Sequence, residues 1–189
     1  MPGFGRFETV EELASSGPFT VYSARQAGEE GPPKFVIKTF RSADEFAEQE
    51  VVDREAAAFI AAAKLQQSLA AGGKGHWATV HEMGRTPEAA YFISDLYPQS
   101  CQKMIDSRRD LDARTIAWII GSVADGLIEL RAQGNGRGHG ALKPSNVLIA
   151  SRAELYGSPV VLCDPLPDER LESGAQTQDL KELAGLLFQ

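Results

Sequence analysis

The segment from Asp112 to Gly134 carries the most regular pattern in the chain. Ile116, Ile119, Ile120, Val123, Leu127 and Leu130 recur every three or four residues, which puts them on one continuous apolar helix face. Asp112 is suited to cap the start of that helix and Gly134 to close its end. Such a face needs a core to cover it, and 189 residues are enough for one domain, or for two small lobes packed as one.

The half that precedes this helix reads mostly as strand. Phe19 to Ala24 and Phe35 to Phe40 are apolar, β-branched runs separated by the breaker-rich Gly28-Glu29-Glu30-Gly31-Pro32-Pro33. Ser42 with Glu45 forms a capping-box signature, and Phe46, Val52, Ala56, Phe59, Ile60 and Ala63 continue it as a helix to about Gln67. Thr79 to Met83 and Ala90 to Asp95 are two further strands about the turn Gly84-Arg85-Thr86-Pro87. Beyond Gly134 come a glycine-rich stretch, short strands at Val147 to Ile149 and Val160 to Leu162, and a last helix from Asp179 to Phe188. The outline is mixed α+β: a strand-rich first half with one long helix, then a mainly helical second half.

Charge and cysteine usage narrow the function classes. With 26 acidic against 19 basic residues the formal charge is -7, which disfavours a nucleic-acid or anionic-membrane surface. Arg108-Arg109 is the only local basic excess. No apolar run approaches the ~18 residues of a membrane span, and Met1-Pro2-Gly3-Phe4 lacks a signal peptide's pattern, so no membrane insertion is expected and a cytoplasmic location is the default. Cys101 and Cys163 define neither a disulfide framework nor a metal site, and both read as reduced, with Cys163 buried in a strand.

Several separated motifs could carry chemistry. Val36-Ile37-Lys38 sets a lysine within an apolar strand, and its flexible stem can deliver a compact charge to phosphate oxygens; an exposed strand lysine is the plainer alternative. His139-Gly140-Ala141-Leu142-Lys143-Pro144-Ser145-Asn146 lies between a helix and a strand, and Cys163-Asp164-Pro165-Leu166 follows the next strand. Taken singly, His139 reads as a packed core histidine, Asn146 as a turn residue and Asp164 as a turn opener before proline. Asp179 stands at a helix start, where the dipole favours an acid.

In their order, these motifs resemble those of the protein-kinase superfamily: V-A-I-K at Lys38, H-R-D-L-K-P-x-N at residues 139–146 and D-F-G at Asp164. The resemblance implies a kinase-like bilobal fold over residues 1–189, with a small β-rich lobe of about 1–96 and an incomplete, mainly helical large lobe of about 97–189. It implies that Lys38 contacts nucleotide phosphates and pairs with a helix glutamate, Glu55 or alternatively Glu50, unless both are solvated charges. Ser94 would be the gatekeeper, and Asp95 and Tyr97 would border the adenine-binding hinge. Lys143 would face the phosphates, Asn146 and Asp164 would hold Mg2+, His139 would be structural and Asp179 would brace the catalytic loop. ATP with Mg2+ is the implied cofactor.

The same comparison exposes losses. Ala141 stands where the family has its catalytic aspartate, the general base. Ala14, Ser16 and Phe19 occupy the three glycine positions of the nucleotide lid, where an absent Cβ lets the backbone approach phosphate. Pro165 and Leu166 follow Asp164, and the short stretch to Asp179 lacks an A-P-E motif. The expectation is therefore a pseudokinase, a nucleotide-binding regulatory or scaffolding module. One alternative is an atypical, low-activity kinase for Ser/Thr using Asp168 or Glu169 as base; the other is an interaction domain that has lost nucleotide as well. The apolar end Leu183 to Gln189 suggests a protein partner, a homo-oligomer or a truncated chain.

Overall fold

The computed structural model describes residues 3–42, 48–134 and 136–186, and is a mixed α+β protein. Its backbone contacts group into two compact units: Met1–Lys64 with Thr79–Leu96, and Leu65–Ala78 with Tyr97–Gln189. Leu65–Ala78 groups with the second unit rather than with the residues that flank it in the chain.

The first unit is built on one antiparallel sheet. Its strands are β1 (Gly3–Phe4), β2 (Phe7–Ser16), β3 (Phe19–Gln26), β4 (Phe35–Phe40), β5 (Val80–Arg85) and β6 (Ala90–Asp95), in the order β1-β2-β3-β4-β6-β5. Both β4 and β6 keep the ends read from the sequence, because apolar, β-branched runs bounded by breakers mark them locally. One core cluster joins Phe40, Val80, Ala90 and Phe92 to Ala56, Phe59 and Ala63 of helix α1 (Gln49–Ala71). A smaller one gathers Phe4, Phe7, Ala24, Ile37 and Ile93. The expected capping box and first turn fall partly on Glu45 and Phe46, which lie outside the described residues.

The region read as a degenerate glycine lid is not a loop. Ala14, Ser15 and Ser16 finish β2, Phe19 to Val21 begin β3, and the strands join through Gly17-Pro18. Gly17 has φ +54°, a left-handed setting that suits glycine at a tight turn. With only its first residues buried and Glu11 to Ser16 exposed throughout, β2 has no apolar run to mark it in the sequence.

The second unit centres on α3 (Ala113–Gln133). Asp112 caps it by accepting from the Thr115 N–H at 2.7 Å, and the Gly134 N–H closes it by donating to the Leu130 carbonyl at 2.8 Å. Its apolar face meets the last part of α1, the short helix α2 (Cys101–Asp106), and the sheet β7 (Gln99–Ser100), β8 (Val147–Ile149) and β9 (Val160–Leu162). The expected apolar row thus buries Ile119, Val123 and Leu130. Both α2 and β7 are too short to have left a periodic signal.

The final helix, α4, runs Ala175–Gly185 and so begins a turn before the expected Asp179; Leu187, Phe188 and Gln189 lie outside the described residues. Cys101 and Cys163 are both free thiols. Cys163 sits just past β9, half-buried, rather than within a strand. Among the described residues no helix is long and apolar enough to cross a membrane.

One residue of α3 has no structural explanation in the fold. Gly121 lies inside the helix, where glycine costs about 1 kcal/mol relative to alanine. A Cβ added there would meet nothing within 4 Å.

Candidate functional site

Within the second unit, the loop at residues 139–146 is held from five directions through His139, which is fully buried. Its backbone N–H donates to Asp179 Oδ2 at 2.6 Å, and its carbonyl accepts from the Leu166 N–H at 2.9 Å. The ring stacks on Trp77 at 5.7 Å between centroids, with an interplanar angle of 17°. Nδ1 accepts from the Ala141 N–H at 3.3 Å, which leaves the ring proton on Nε2, and that group donates to the Cys163 carbonyl at 3.0 Å. Burial pulls the imidazole pKa down to about 4, outweighing the carbonyl bond and the nearby Asp164 charge, so the neutral tautomer is the working form at neutral pH.

Asp179 braces the loop with both oxygens. Besides the His139 N–H it accepts from the Gly140 N–H, at 3.0 Å through Oδ1. Its own burial raises its pKa against the opposing pull of these two bonds. The neighbouring glycines fit for steric reasons. Gly140 has φ +74°, and a Cβ there would sit 2.6 Å from Leu171 and 3.1 Å from Leu166.

Of the sequence-expected residues, Asn146 and Lys143 lie on this loop and Asp164 on a segment tied to it. Asn146, buried in the tight turn Pro144–Asn146, donates through Nδ2 to the Ala141 carbonyl at 2.9 Å. That commits its amide nitrogen and leaves Oδ1 outside this bond. Its carbonyl accepts from the Cys163 N–H at 3.1 Å, tying the loop to the segment that carries Asp164. Asp164 takes a left-handed φ of +58°, uncommon outside glycine though best tolerated by Asp and Asn. The bend is over-determined: Gln66 Oε1 accepts from the Asp164 N–H at 2.8 Å, while His139 fixes the preceding carbonyl. Lys143 is exposed on the same loop, and Tyr97, half-buried, opens the second unit.

By type, an amide oxygen such as that of Asn146 and a carboxylate such as that of Asp164 are the ligands a hard cation like Mg2+ takes, alongside substrate phosphates. Among the described residues no group of three or more His, Cys, Asp or Glu is placed to hold a metal by itself.

Arg137, passed over in the sequence as part of a glycine-rich run, clamps the segment after Asp164. It donates to the Leu166 carbonyl and pairs with Asp168 at 2.5 Å. Its side chain is only 9% exposed, and burial lowers its pKa while Asp168 acts against that shift.

The first unit holds Lys38, Glu55, Ser94 and Asp95. Lys38 lies in register with Val21 of β3 and Phe92 of β6. Its Nζ stands 5.6 Å from the centroid of the Phe19 ring, which packs beside Phe40 and Phe59 at 5.7 and 5.9 Å. Glu55 is half-buried next to Ala56 and Phe59 on α1, while Glu50 in the first turn is exposed. Ser94 is buried in β6, and the Asp95 carboxylate pairs with His81 Nε2 at 2.7 Å.

Sequence reasoning missed Gln66, Trp77 and Arg137. Gln66 had a signal: it follows Phe59 and Ala63 at helical spacing, and a polar residue on an apolar stripe marks a buried hydrogen bond. It is almost wholly buried and also donates to the Ala78 carbonyl at 2.9 Å. Comparison with protein-family models and with curated proteins found no match for this chain.

Proposed function

We propose that this chain is a kinase-like binding module from which efficient phosphoryl transfer has been removed, acting as a regulatory or scaffolding pseudokinase that takes ATP with Mg2+. The observation that carries the reading is the two-pronged Asp179 brace on His139 and Gly140, in a loop whose next residue is Ala141. A loop so tightly held presents Asn146 and Asp164 in fixed positions, yet offers no carboxylate where a substrate hydroxyl would lose its proton. Magnesium, when bound with nucleotide, would neutralise phosphate charge; Asn146 and Asp164 are the residues that would hold it. General-base groups typically contribute about 10²- to 10⁴-fold, so transfer by positioning alone would be slow.

The atypical-kinase alternative loses ground at Asp168, whose carboxylate is engaged by Arg137 at 2.5 Å. The Glu169 side chain lies outside those described. The nucleotide-free reading draws on a different observation, the Phe19 ring facing Lys38 where the family resemblance expects glycine.

Heat unfolding separates these readings. Stabilisation by ATP with Mg2+, lost in Asp164→Ala, supports the nucleotide-binding module, because a ligand at about 100 times its Kd adds about 2.7 kcal/mol. No shift with or without magnesium would leave the interaction-domain reading. Label transfer from ATP that Lys38→Ala and Asp164→Ala both abolish would establish the enzyme instead.

A further inference from the structure

Gln66 interrupts the apolar stripe of α1 with a polar side chain that is almost wholly buried. A methionine or leucine would fill the same place with no polar group to satisfy. Both ends of the Gln66 amide are instead engaged: Nε2 donates to the Ala78 carbonyl at 2.9 Å, and Oε1 accepts from the Asp164 N–H at 2.8 Å.

The bond to Ala78 anchors the amide to a fixed point. Ala78 donates its N–H to the Leu162 carbonyl at 2.9 Å, and the Leu162 N–H donates to the His76 carbonyl at 2.9 Å, so residues 76–78 form a short parallel bridge with β9. Gln66 closes a ring that runs from Ala78 to Leu162, along the chain to Asp164, and back through the amide. The backbone before Asp164 is held without it. Cys163 donates its N–H to the Asn146 carbonyl at 3.1 Å, and its own carbonyl accepts from His139 Nε2 at 3.0 Å. What Gln66 adds is a second hold on the planar peptide unit between Cys163 and Asp164, which a single bond at the carbonyl would leave free to rock.

That plane sets where the Cα–Cβ bond of Asp164 points, and the residue stands in a conformation it would not choose. Its φ of +58° is left-handed, whereas a residue before proline is biased toward extended backbone at negative φ. Pro165 has no N–H to contribute, and the next donor, the Leu166 N–H, is bound to the His139 carbonyl at 2.9 Å. Strain of this kind persists only where the surroundings impose it, and it clusters at functional sites.

We propose, resting on the nucleotide-binding reading, that Gln66 is the positioning residue for Asp164, holding its carboxylate in the orientation that takes Mg2+ together with ATP. Losing a partner that orients a metal ligand typically costs about 10- to 100-fold in metal affinity.

The test titrates ATP into the full chain by calorimetry, once with Mg2+ and once with EDTA. Gln66→Met keeps the buried volume and suits a helix, but removes the amide. It should weaken binding of ATP with Mg2+ about tenfold or more and leave binding in EDTA unchanged. In an Asp164→Asn background the same exchange should cost less than about twofold, because no carboxylate is left to orient. A merely structural role would follow neither the metal nor the carboxylate. Parent-like affinity of Gln66→Met for ATP with Mg2+ would overturn the proposal and leave the nucleotide reading standing, as would a loss equally large in EDTA or in Asp164→Asn. A parent that binds no ATP overturns both. Should Gln66→Met not fold, hydrogen exchange in the parent decides. An Asp164 N–H that exchanges slowly, and more slowly still with ATP and Mg2+, supports the proposal; one that exchanges as fast as an open loop overturns it.

Discussion

The surroundings of His139 and of Lys38 differ in kind. His139 sits in a buried polar network where each group has a specific partner: Asp179, Ala141, Cys163 and Leu166. Lys38 sits by an aromatic layer of Phe19, Phe40 and Phe59, whose contacts are broad and non-directional. A directional network fixes atoms in place and fails sharply when one member is lost; an apolar layer tolerates substitution and yields gradually. Residue 141 can therefore be alanine without the loop losing its shape, because only backbone groups of that residue enter the network.

The contrast breaks most directly at Asp179. Asp179→Ala leaves the buried His139 N–H and the half-buried Gly140 N–H without an acceptor, and denaturant unfolding should show a loss of about 3 kcal/mol. A loss under about 1 kcal/mol would mean that the loop is held by packing alone.

Acid should strain the same network. The folded His139 pKa is about 4 against an ordinary 6.5, so the unfolded chain binds the extra proton first. Stability is then full above pH 6.5 and falls as pH drops toward 4, by on the order of 3 kcal/mol in total. Asp179 acts with the opposite sign, since its raised pKa makes the folded state take up its proton early as acid is added. The His139 contribution is isolated by His139→Gln, in which the decline of melting temperature between pH 6.5 and 4.5 should be shallower than in the parent.

At the aromatic layer the effect is expected to be smaller and to carry a gain. Phe19→Ala removes a half-buried ring and its contact with the Lys38 ammonium, costing about 2 kcal/mol. If the ring stands in the way of phosphate, ATP affinity in a binding titration should rise in this variant. An unchanged or lower affinity would show that Phe19 is neutral toward nucleotide or part of its site.

The smallest expected effect is a stabilisation at a position that belongs to neither region. Gly121→Ala should add up to about 1 kcal/mol, read as a rise of a few degrees in melting temperature. Destabilisation there would reveal a packing role for the glycine.

Legibility in the sequence followed the range of the interaction. Local signals located α3 through its apolar row and both caps, and located β4, β6, β8 and β9 through short apolar runs between breakers. Residues 139–146 and Asp164 were visible as motifs because each is a contiguous string. The strand β2 was not, since every residue from Glu11 to Ser16 is exposed and that stretch carries no alternation of apolar and polar positions.

By itself the sequence determined which elements form and which residue types stand at the loop, including the alanine at 141. Tertiary structure alone decided how those residues are held. Gln66 reaches Asp164 across 98 positions, Asp179 reaches His139 across 40, and Arg137 reaches Leu166 across 29. Periodicity and capping report on neighbours within a turn or a strand, whereas the direction of a buried hydrogen bond depends on which distant backbone group the packed core brings within reach.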